Sequence, residues 1–308
     1  MVTQKGNVCI IGSFSLDSIT VPGLNGSFHS LGGAVTYTSF AVKSLGETAA
    51  VISRVGADLP EAHLLKLHRE GINISAVKRY PRETTTHFEL CYNKDFSERT
   101  LKLTCKGYPI SLDDIPHDLY AKIIHVAPIA GEINYDVVEH LKTCCSNLSL
   151  DPQGFLRSFD ENGNVSPNLQ ADKRVLELVD ICKVSQDEIF VLTDKVELNK
   201  AIKAVHDVGV KTVIVTMGAK GALLSFEGEQ YNIPACHPTV LVDPTGAGDV
   251  FIGAFLSEYL KRKELLWCAS IGSAAASMVV EGAGSTWFGE RQEIIKRAIS
   301  LYEKELKQ

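Results

Sequence analysis

Short apolar, β-branched runs alternate with stretches of helical spacing along most of this 308-residue chain. That alternation leaves few architectures open. The runs at residues 8–11, 49–55, 123–126, 148–150, 181–184 and 212–216 have the length and composition of strands. Between them, residues 34–45, 60–70, 135–144 and 196–208 repeat apolar positions at helical spacing, and Gly46 and Gly71 end the first two. The run Thr-Val-Ile-Val-Thr at 212–216 is of the kind a buried parallel strand needs. Strand–helix alternation of this sort predicts an α/β fold, with a central, mostly parallel sheet and helices on both faces. Residues 1–308 read as one such unit.

Two stretches break the pattern. Residues 18–30 place Pro22, Gly23 and Gly26 around short β-prone pieces, and residues 84–103 alternate as two strands about a polar turn at 93–98. A hairpin there projects from an α/β core as a small β lid, or extends the edge of the main sheet. Residues 160–172 are polar and aperiodic and read as a surface loop.

Composition narrows the function classes. Lys and Arg total 31 against 37 Asp and Glu, a formal charge of −6, without the basic balance of a general nucleic-acid binder. The N-terminal apolar run is too short for a signal-peptide core, and no window approaches the length of a membrane span. The default compartment is the cytosol, with no membrane partner. Of eight cysteines, Cys9, Cys91, Cys182 and Cys268 sit singly in apolar stretches and read as buried thiols. Cys144 and Cys145 are adjacent, and no CxxC pair marks a zinc site. The nine histidines are scattered, and His87 and His125 read as structural. No GxxxxGK[ST], GxSxG or HExxH occurs, and the first strand is followed by Gly12 alone rather than GxGxxG.

The chemistry concentrates in residues 240–260, VLVDPTGAGDVFIGAFLSEYL. A β-branched strand runs into Asp243, small residues follow, and Phe251, Ala254, Phe255 and Tyr259 then recur at helical spacing. Gly246, Ala247 and Gly248 therefore lie at a strand-to-helix turn, where the backbone can approach a ligand closely. Orphan N–H groups at a helix N-terminus favour an anion. Asp249 enters the first helical turn facing the same place. An anion hole beside a potential general base is what phosphoryl transfer to a hydroxyl requires. A plain helix cap with a tight glycine turn would use the same residues.

This segment resembles the C-terminal signature of the ribokinase-like (PfkB) carbohydrate kinases, and other pieces follow in that family's order. Gly12-Ser13-Phe14-Ser15-Leu16-Asp17 resembles its substrate-contacting entry. Gly32-Gly33 before a helix is similar to its N-terminal glycine motif, and Ser97-Glu98-Arg99-Thr100 to the end of its lid hairpin. Thr216-Met217-Gly218-Ala219-Lys220-Gly221 resembles its nucleotide loop. Residues 274–284, AAASMVVEGAG, resemble the segment closing over the adenine and a monovalent-cation site. The resemblance implies a ribokinase-like fold and an ATP-dependent kinase of a hydroxyl on a small polyhydroxylated substrate. It implies Asp249 as base, with Gly246, Ala247 and Gly248 as the anion hole. It gives Asp17, Gly32, Gly33 and Arg157 to the substrate, and Ser185, Glu188, Thr216, Gly218, Gly221 and Ala275 to the nucleotide. Mg²⁺ arrives with ATP, and Asp243, Thr245, Gly284 and Ser285 are candidates to hold K⁺.

Two departures stand out. Tyr37 replaces the Asn that many relatives carry after the double glycine, and Ser185 replaces the Asn of an Asn-x-x-Glu motif whose Glu survives as Glu188. GGAVTY, DPQGFLR (151–157) and VSQDE together look similar to the branch that includes myo-inositol kinases. That branch makes a cyclitol the leading substrate. Pentoses, ketohexoses and nucleosides present hydroxyls in the same manner, and a non-catalytic sugar-binding regulator is the alternative from another class. An open lid edge is expected to pair with a second copy of the chain.

Overall fold

The computed structural model describes residues 7–96 and 98–303. The strands, in chain order, are β1 (Val8–Ile11), β2 (Ser15–Thr20), β3 (Phe28–Gly32), β4 (Ala49–Gly56), β5 (Asn73–Tyr80), β6 (Thr86–Tyr92), β7 (Arg99–Cys105), β8 (Ala121–Val126), β9 (Cys145–Leu150), β10 (Arg157–Phe159), β11 (Val165–Pro167), β12 (Ile181–Ser185), β13 (Thr212–Thr216), β14 (Ala222–Phe226) and β15 (Glu229–Ile233). The helices are α1 (Ala34–Ser44), α2 (Glu61–Arg69), α3 (Tyr135–Thr143), α4 (Gln186–Thr193), α5 (Leu198–Asp207), α6 (Ala247–Leu260), α7 (Leu265–Val279) and α8 (Arg291–Leu301).

Nine strands form the main sheet in the order β15-β14-β13-β12-β9-β8-β1-β4-β5. Seven run parallel, and β14 and β15 close one edge antiparallel. Successive strand residues face opposite layers. Ile10, Val51, Ile123, Ile181 and Ile214 pack with α1, α6 and α7. Ile11, Ile52, Ile124, Cys182 and Val215 pack with α3, α4 and α5. The sheet is thus covered on both faces, as its apolar runs require.

The strand order reverses at β1, whose neighbours are β4 and β8. Crevices beyond the carboxyl ends of strands at such a switch point are where open α/β sheets bind ligands. The four-stranded sheet β3-β2-β6-β7 lies there. Its Ile19, Phe88, Leu90 and Leu103 join the core cluster of α1 and α6, so it is a separate sheet and not an extension of the main one. Ser97 lies outside the described residues.

Two expectations need correction. Residues 160–172 are not loop throughout, because β11 pairs antiparallel with β10; three-residue strands are too short to show periodicity. Cys91 is exposed rather than buried, since alternation along β6 points it away from the core. Among the described residues no helix is long and apolar enough to cross a membrane.

Candidate active site

Two helix N-termini converge beyond the end of β1. Gly33 precedes α1 with φ +85°, and Gly246 precedes α6 with φ +78°. Both need glycine, because that backbone region is costly for other residues. They are neighbours because α1 and α6 pack closely: a Cβ at Gly253 would stand 2.7 Å from the Thr38 carbonyl oxygen. The Thr38 hydroxyl also donates to the Asp249 backbone carbonyl at 3.2 Å.

Between these termini and the small sheet lies a pocket lined by Ser15, Asp17, Tyr37, Arg99, Arg157 and Asp249, with Phe88, Leu90 and Leu101 from the small sheet as an apolar wall. Ser15 Oγ, Asp17 Oδ1 and the Tyr37 hydroxyl are buried there without a hydrogen-bond partner. Buried polar atoms are nearly always paired, so three orphans on one pocket mark where a hydroxyl-bearing ligand belongs. Gly32 leaves room for the arrangement, since a Cβ there would fall 1.8 Å from Asp17 Oδ2. Burial pushes the Asp17 carboxyl up to about 7, partly offset by the neighbouring Ser15 hydroxyl and the Arg99 guanidinium.

Asp249, in the first turn of α6, sits at the floor of the pocket, with Gln153 Nε2 at 3.5 Å from Oδ1. Burial raises its pKa to about 6, opposed by Lys183 and Arg157 and reinforced by Asp151 and Glu188. Arg157, on β10, donates to the Ile129 carbonyl at 3.1 Å and to Gln153 Oε1 at 2.6 Å. It is held, half-buried, at the pocket wall.

Lys183 is the residue that sequence reasoning missed. It is the one charged side chain within an otherwise apolar β12, and period-2 alternation turns it with Ile181 toward α6. Its ammonium donates to Asp151 at 2.6 Å, with the two side chains only 7% and 0% exposed. A Cβ at Gly248 would lie 2.7 Å from Nζ, so a cation abuts the small-residue turn. A lone Lys in an apolar strand was the available signal; its partner, at the end of β9, was not readable from spacing.

The residues expected at the nucleotide lie on adjacent strand ends, with Ser185 in register with Thr216. Ser185 and Glu188 form a reciprocal cap on α4, Ser185 N donating to Glu188 Oε2 at 2.9 Å. Gly218, with φ +57°, is exposed, and a Cβ there would meet nothing. Gly221, with φ +90°, packs under the Ile233 carbonyl and shapes the turn into β14. Ala275 is not brought to the site: it is 1% exposed, in the core among Ala41, Val250 and Ile271. Helix α7 is buried nearly all round, and its short stretch of alanines packs helices.

Asp243, Thr245, Gly284 and Ser285 do come together. Asp243 Oδ1 accepts from Thr245 N and Oγ1 at 2.9 and 2.6 Å, and Oδ2 accepts from Gly284 N at 2.8 Å. The Tyr92 hydroxyl lies 2.9 Å from Thr245 Oγ1. The Val280 carbonyl accepts from Val242 and Asp243, that of Ala283 from the Thr286 hydroxyl, and that of Ser285 from the Lys66 ammonium at 3.0 Å. The Asp243 carboxylate, the Thr245 and Ser285 hydroxyls and the carbonyls of this loop are all oxygens, the donor type a hard cation takes.

A half-buried carboxylate at the N-terminus of α6, beside a small-residue turn and a pocket of unpaired polar atoms, belongs to a phosphotransferase with a hydroxyl as acceptor. The comparisons place it further. The pattern of the pfkB family carbohydrate kinases matches residues 15–288, and the chain belongs to that family. It is 26% identical to the cytidine kinase of Thermococcus kodakarensis over 90% of this chain and 97% of that protein. It is also 26% identical to the inositol 3-kinase of Oryza sativa subsp. japonica, over 94% of this chain and 73% of that one. In fold it resembles a pyrophosphate-dependent kinase of the ribokinase family complexed with a pyrophosphate analog and myo-inositol. That structure has a TM-score of 0.80 at 22% identity and covers 94% and 99% of the two chains. The chain is thus a ribokinase-type kinase of the group acting on sugars, nucleosides or inositols.

Proposed function

We propose that the protein transfers the γ-phosphoryl group of ATP to a hydroxyl of a cyclitol such as myo-inositol. The observation that carries this reading is the trio of unpaired polar atoms, Ser15 Oγ, Asp17 Oδ1 and the Tyr37 hydroxyl, buried in the pocket that Asp249 floors. A compact ring bearing hydroxyls all round satisfies such a trio from one side while an apolar lid wall excludes water. Tyr37 narrows the pocket next to Gly246: a Cβ on that glycine would lie 2.2 Å from the ring. The inositol 3-kinases among the relatives support the same choice.

Asp17, with the backbone of Gly32 and Gly33, grips substrate hydroxyls, and Arg157 closes the wall. Asp249 accepts the proton of the attacking hydroxyl. A carboxyl near pKa 6 is ionised at neutral pH yet basic enough for that transfer. The N–H groups of Gly246, Ala247 and Gly248 face the charge that develops on the transferred phosphoryl group, with Lys183 behind them. Thr216, Gly218 and Gly221 shape the nucleotide loop. No cluster of three or more metal-ligating side chains occurs among the described residues. Glu188 and Ser185 offer oxygens only, a set that suits Mg²⁺ held mainly by phosphates and water. Mg²⁺ neutralises phosphate charge. The sheet β3-β2-β6-β7 acts as the lid of a single kinase unit. Its exposed face carries Glu89 opposite Lys102, and β7 already bridges to residues 163–164 on its outer side, so pairing with a second copy would run through the β3 edge.

The nucleoside kinases among the relatives favour a second reading, in which a nucleoside hydroxyl is the acceptor. A coupled assay of ATP consumption over cyclitols, sugars and nucleosides decides. The proposal expects the highest kcat/KM with a cyclitol; a nucleoside or ketohexose in first place refutes the substrate choice.

A further inference from the structure

Gln153 stands in the turn after β9, on a backbone held from both sides. Its N–H donates to Asp151 Oδ1 at 3.2 Å, and Asp151 is itself held by the Lys183 ammonium at 2.6 Å. The next residue packs hard against the segment that follows β8. Gly154 N donates to the Pro128 carbonyl at 3.0 Å, and a Cβ at Gly154 would stand 2.4 Å from the Pro128 carbonyl carbon. From this fixed base the Gln153 side chain lines the pocket beside Asp249.

Its amide lies between two groups of opposite demand. Arg157 Nη2 donates to Gln153 Oε1 at 2.6 Å, and Gln153 Nε2 stands 3.5 Å from Asp249 Oδ1. A guanidinium only donates and a carboxylate only accepts. A neutral group bridges them only by accepting on one side and donating on the other, so the amide has one orientation here. Arg157 is fixed in turn, because Nη1 donates to the Ile129 carbonyl at 3.1 Å. Helix α6 and the Thr38 hydroxyl hold the Asp249 main chain. Among the described residues the amide is the one hydrogen-bond donor to the Asp249 carboxylate, so it governs how that carboxylate turns. The bond is long, as catalytic hydrogen bonds often are before substrate arrives.

We propose that Gln153 is a positioning residue for the proton acceptor: it occupies Asp249 Oδ1 and leaves Oδ2 to face the acceptor hydroxyl. The inference rests on the reading of Asp249 as the base. Gln153 touches no reacting atom and acts through Asp249. Arg157, beyond contributing to the pocket wall, keeps the donor end of the amide turned toward the base.

The test uses two variants of nearly the same length, Gln153→Met and Gln153→Glu, in the full chain with the best acceptor. Gln153→Met loses both donor and acceptor. Its kcat should fall about 10–100-fold, since a displacement of about 1 Å costs up to that much, with acceptor KM and melting temperature close to wild type. Gln153→Glu sets a second carboxylate against Asp249. The charged groups already facing Asp249 are Lys183 on β12, Asp151 after β9, Arg157 on β10, Glu188 on α4 and Arg99 on β7, with the neutral Tyr37 hydroxyl on α1; none of them is altered. Two carboxylates sharing a site raise one pKa strongly, so the acid limb of the kcat/KM profile should move up by about one pH unit or more. A ¹³C-carboxyl titration of the ligand-free protein, assigned with Asp249→Asn, should show the same upward shift without turnover. An Asp249 titration that does not move in Gln153→Glu overturns the inference. So does an acceptor KM that rises in Gln153→Met at unchanged kcat, which makes Gln153 a substrate ligand, or a kcat loss matched by a collapse in melting temperature. A titration that moves while the acid limb stays refutes Asp249 as the base, and the two failures are thereby distinguished. Should Gln153→Glu not fold, the kcat and KM of Gln153→Met decide.

Discussion

Lys183→Met probes the electrostatics beneath the small-residue turn. The ammonium and the Asp151 carboxylate are 2.6 Å apart, and neither is more than 7% exposed. Removing the ammonium strands Asp151 with the Gln153 N–H at 3.2 Å as its remaining hydrogen bond. Breaking one partner of a buried pair typically costs about 3–5 kcal/mol, because the other charge stays buried. Denaturant unfolding should show a loss of that size. Lys183→Met/Asp151→Asn should recover at least half of it, since the stranded charge is gone while the Asn oxygen still accepts from Gln153. Kinetics give a second readout. After burial, Lys183 is the strongest influence on Asp249, and it lowers the pKa. Its removal should move the acid limb of the kcat/KM profile to higher pH. A single variant that loses less than about 1 kcal/mol, as an exposed pair would, with an unmoved acid limb, refutes this reasoning.

Three further outcomes follow from the same geometry. Gly32→Ala should abolish substrate use while leaving the core intact, because its methyl group would overlap Asp17 Oδ2 at 1.8 Å; normal KM in a folded variant contradicts this. Asp17→Ala should raise KM by the worth of a charged hydrogen bond, about 1.5–3 kcal/mol, measured as kcat/KM on the best acceptor. Burial raises the folded pKa of Asp17 to about 7, above an unfolded value of about 3.9. The folded state therefore holds this proton more tightly, and the stability it contributes, full below about pH 4, is lost as pH rises through about 7. The melting temperature of the ligand-free protein should fall between pH 5 and 8, and less so in Asp17→Asn; equal slopes contradict it.

The alternation of strand and helix was legible because the main-sheet strands are buried on both faces, so their apolar runs stand out. Thr212–Thr216 has the expected bounds, and β8 and β12 differ by a residue or two. The edges were not legible. β5 reads Asn-Ile-Ser-Ala-Val-Lys-Arg-Tyr and is mostly solvent-facing, and β15 is largely exposed. An edge strand carries the polar composition of a loop, which hides it. At the site, residues 240–260 were readable because a turn of small residues at a helix N-terminus has few uses; the strand expected before Asp243 is absent, since Val240 and Leu241 lie exposed with no strand beside them to pair with. The segment Thr216–Gly221 was readable for the same reason. Lys183 was not, because it acquires its meaning from a partner far along the chain, Asp151, 32 residues away. Ala275 went the other way. A run of alanines looks alike whether it closes on a ligand or packs two helices, and α7 packs against α6.

The central claim is that Asp249 is the proton acceptor in transfer to a substrate hydroxyl, and Asp249→Asn tests it most directly. The change preserves shape and the ability to cap α6, and removes only the basic carboxylate. With acceptor and ATP saturating, kcat should fall by roughly 10²–10⁴, while melting temperature and equilibrium binding of the acceptor stay near those of the wild type. A folded Asp249→Asn protein that binds its acceptor and turns over at close to the wild-type rate would contradict the account.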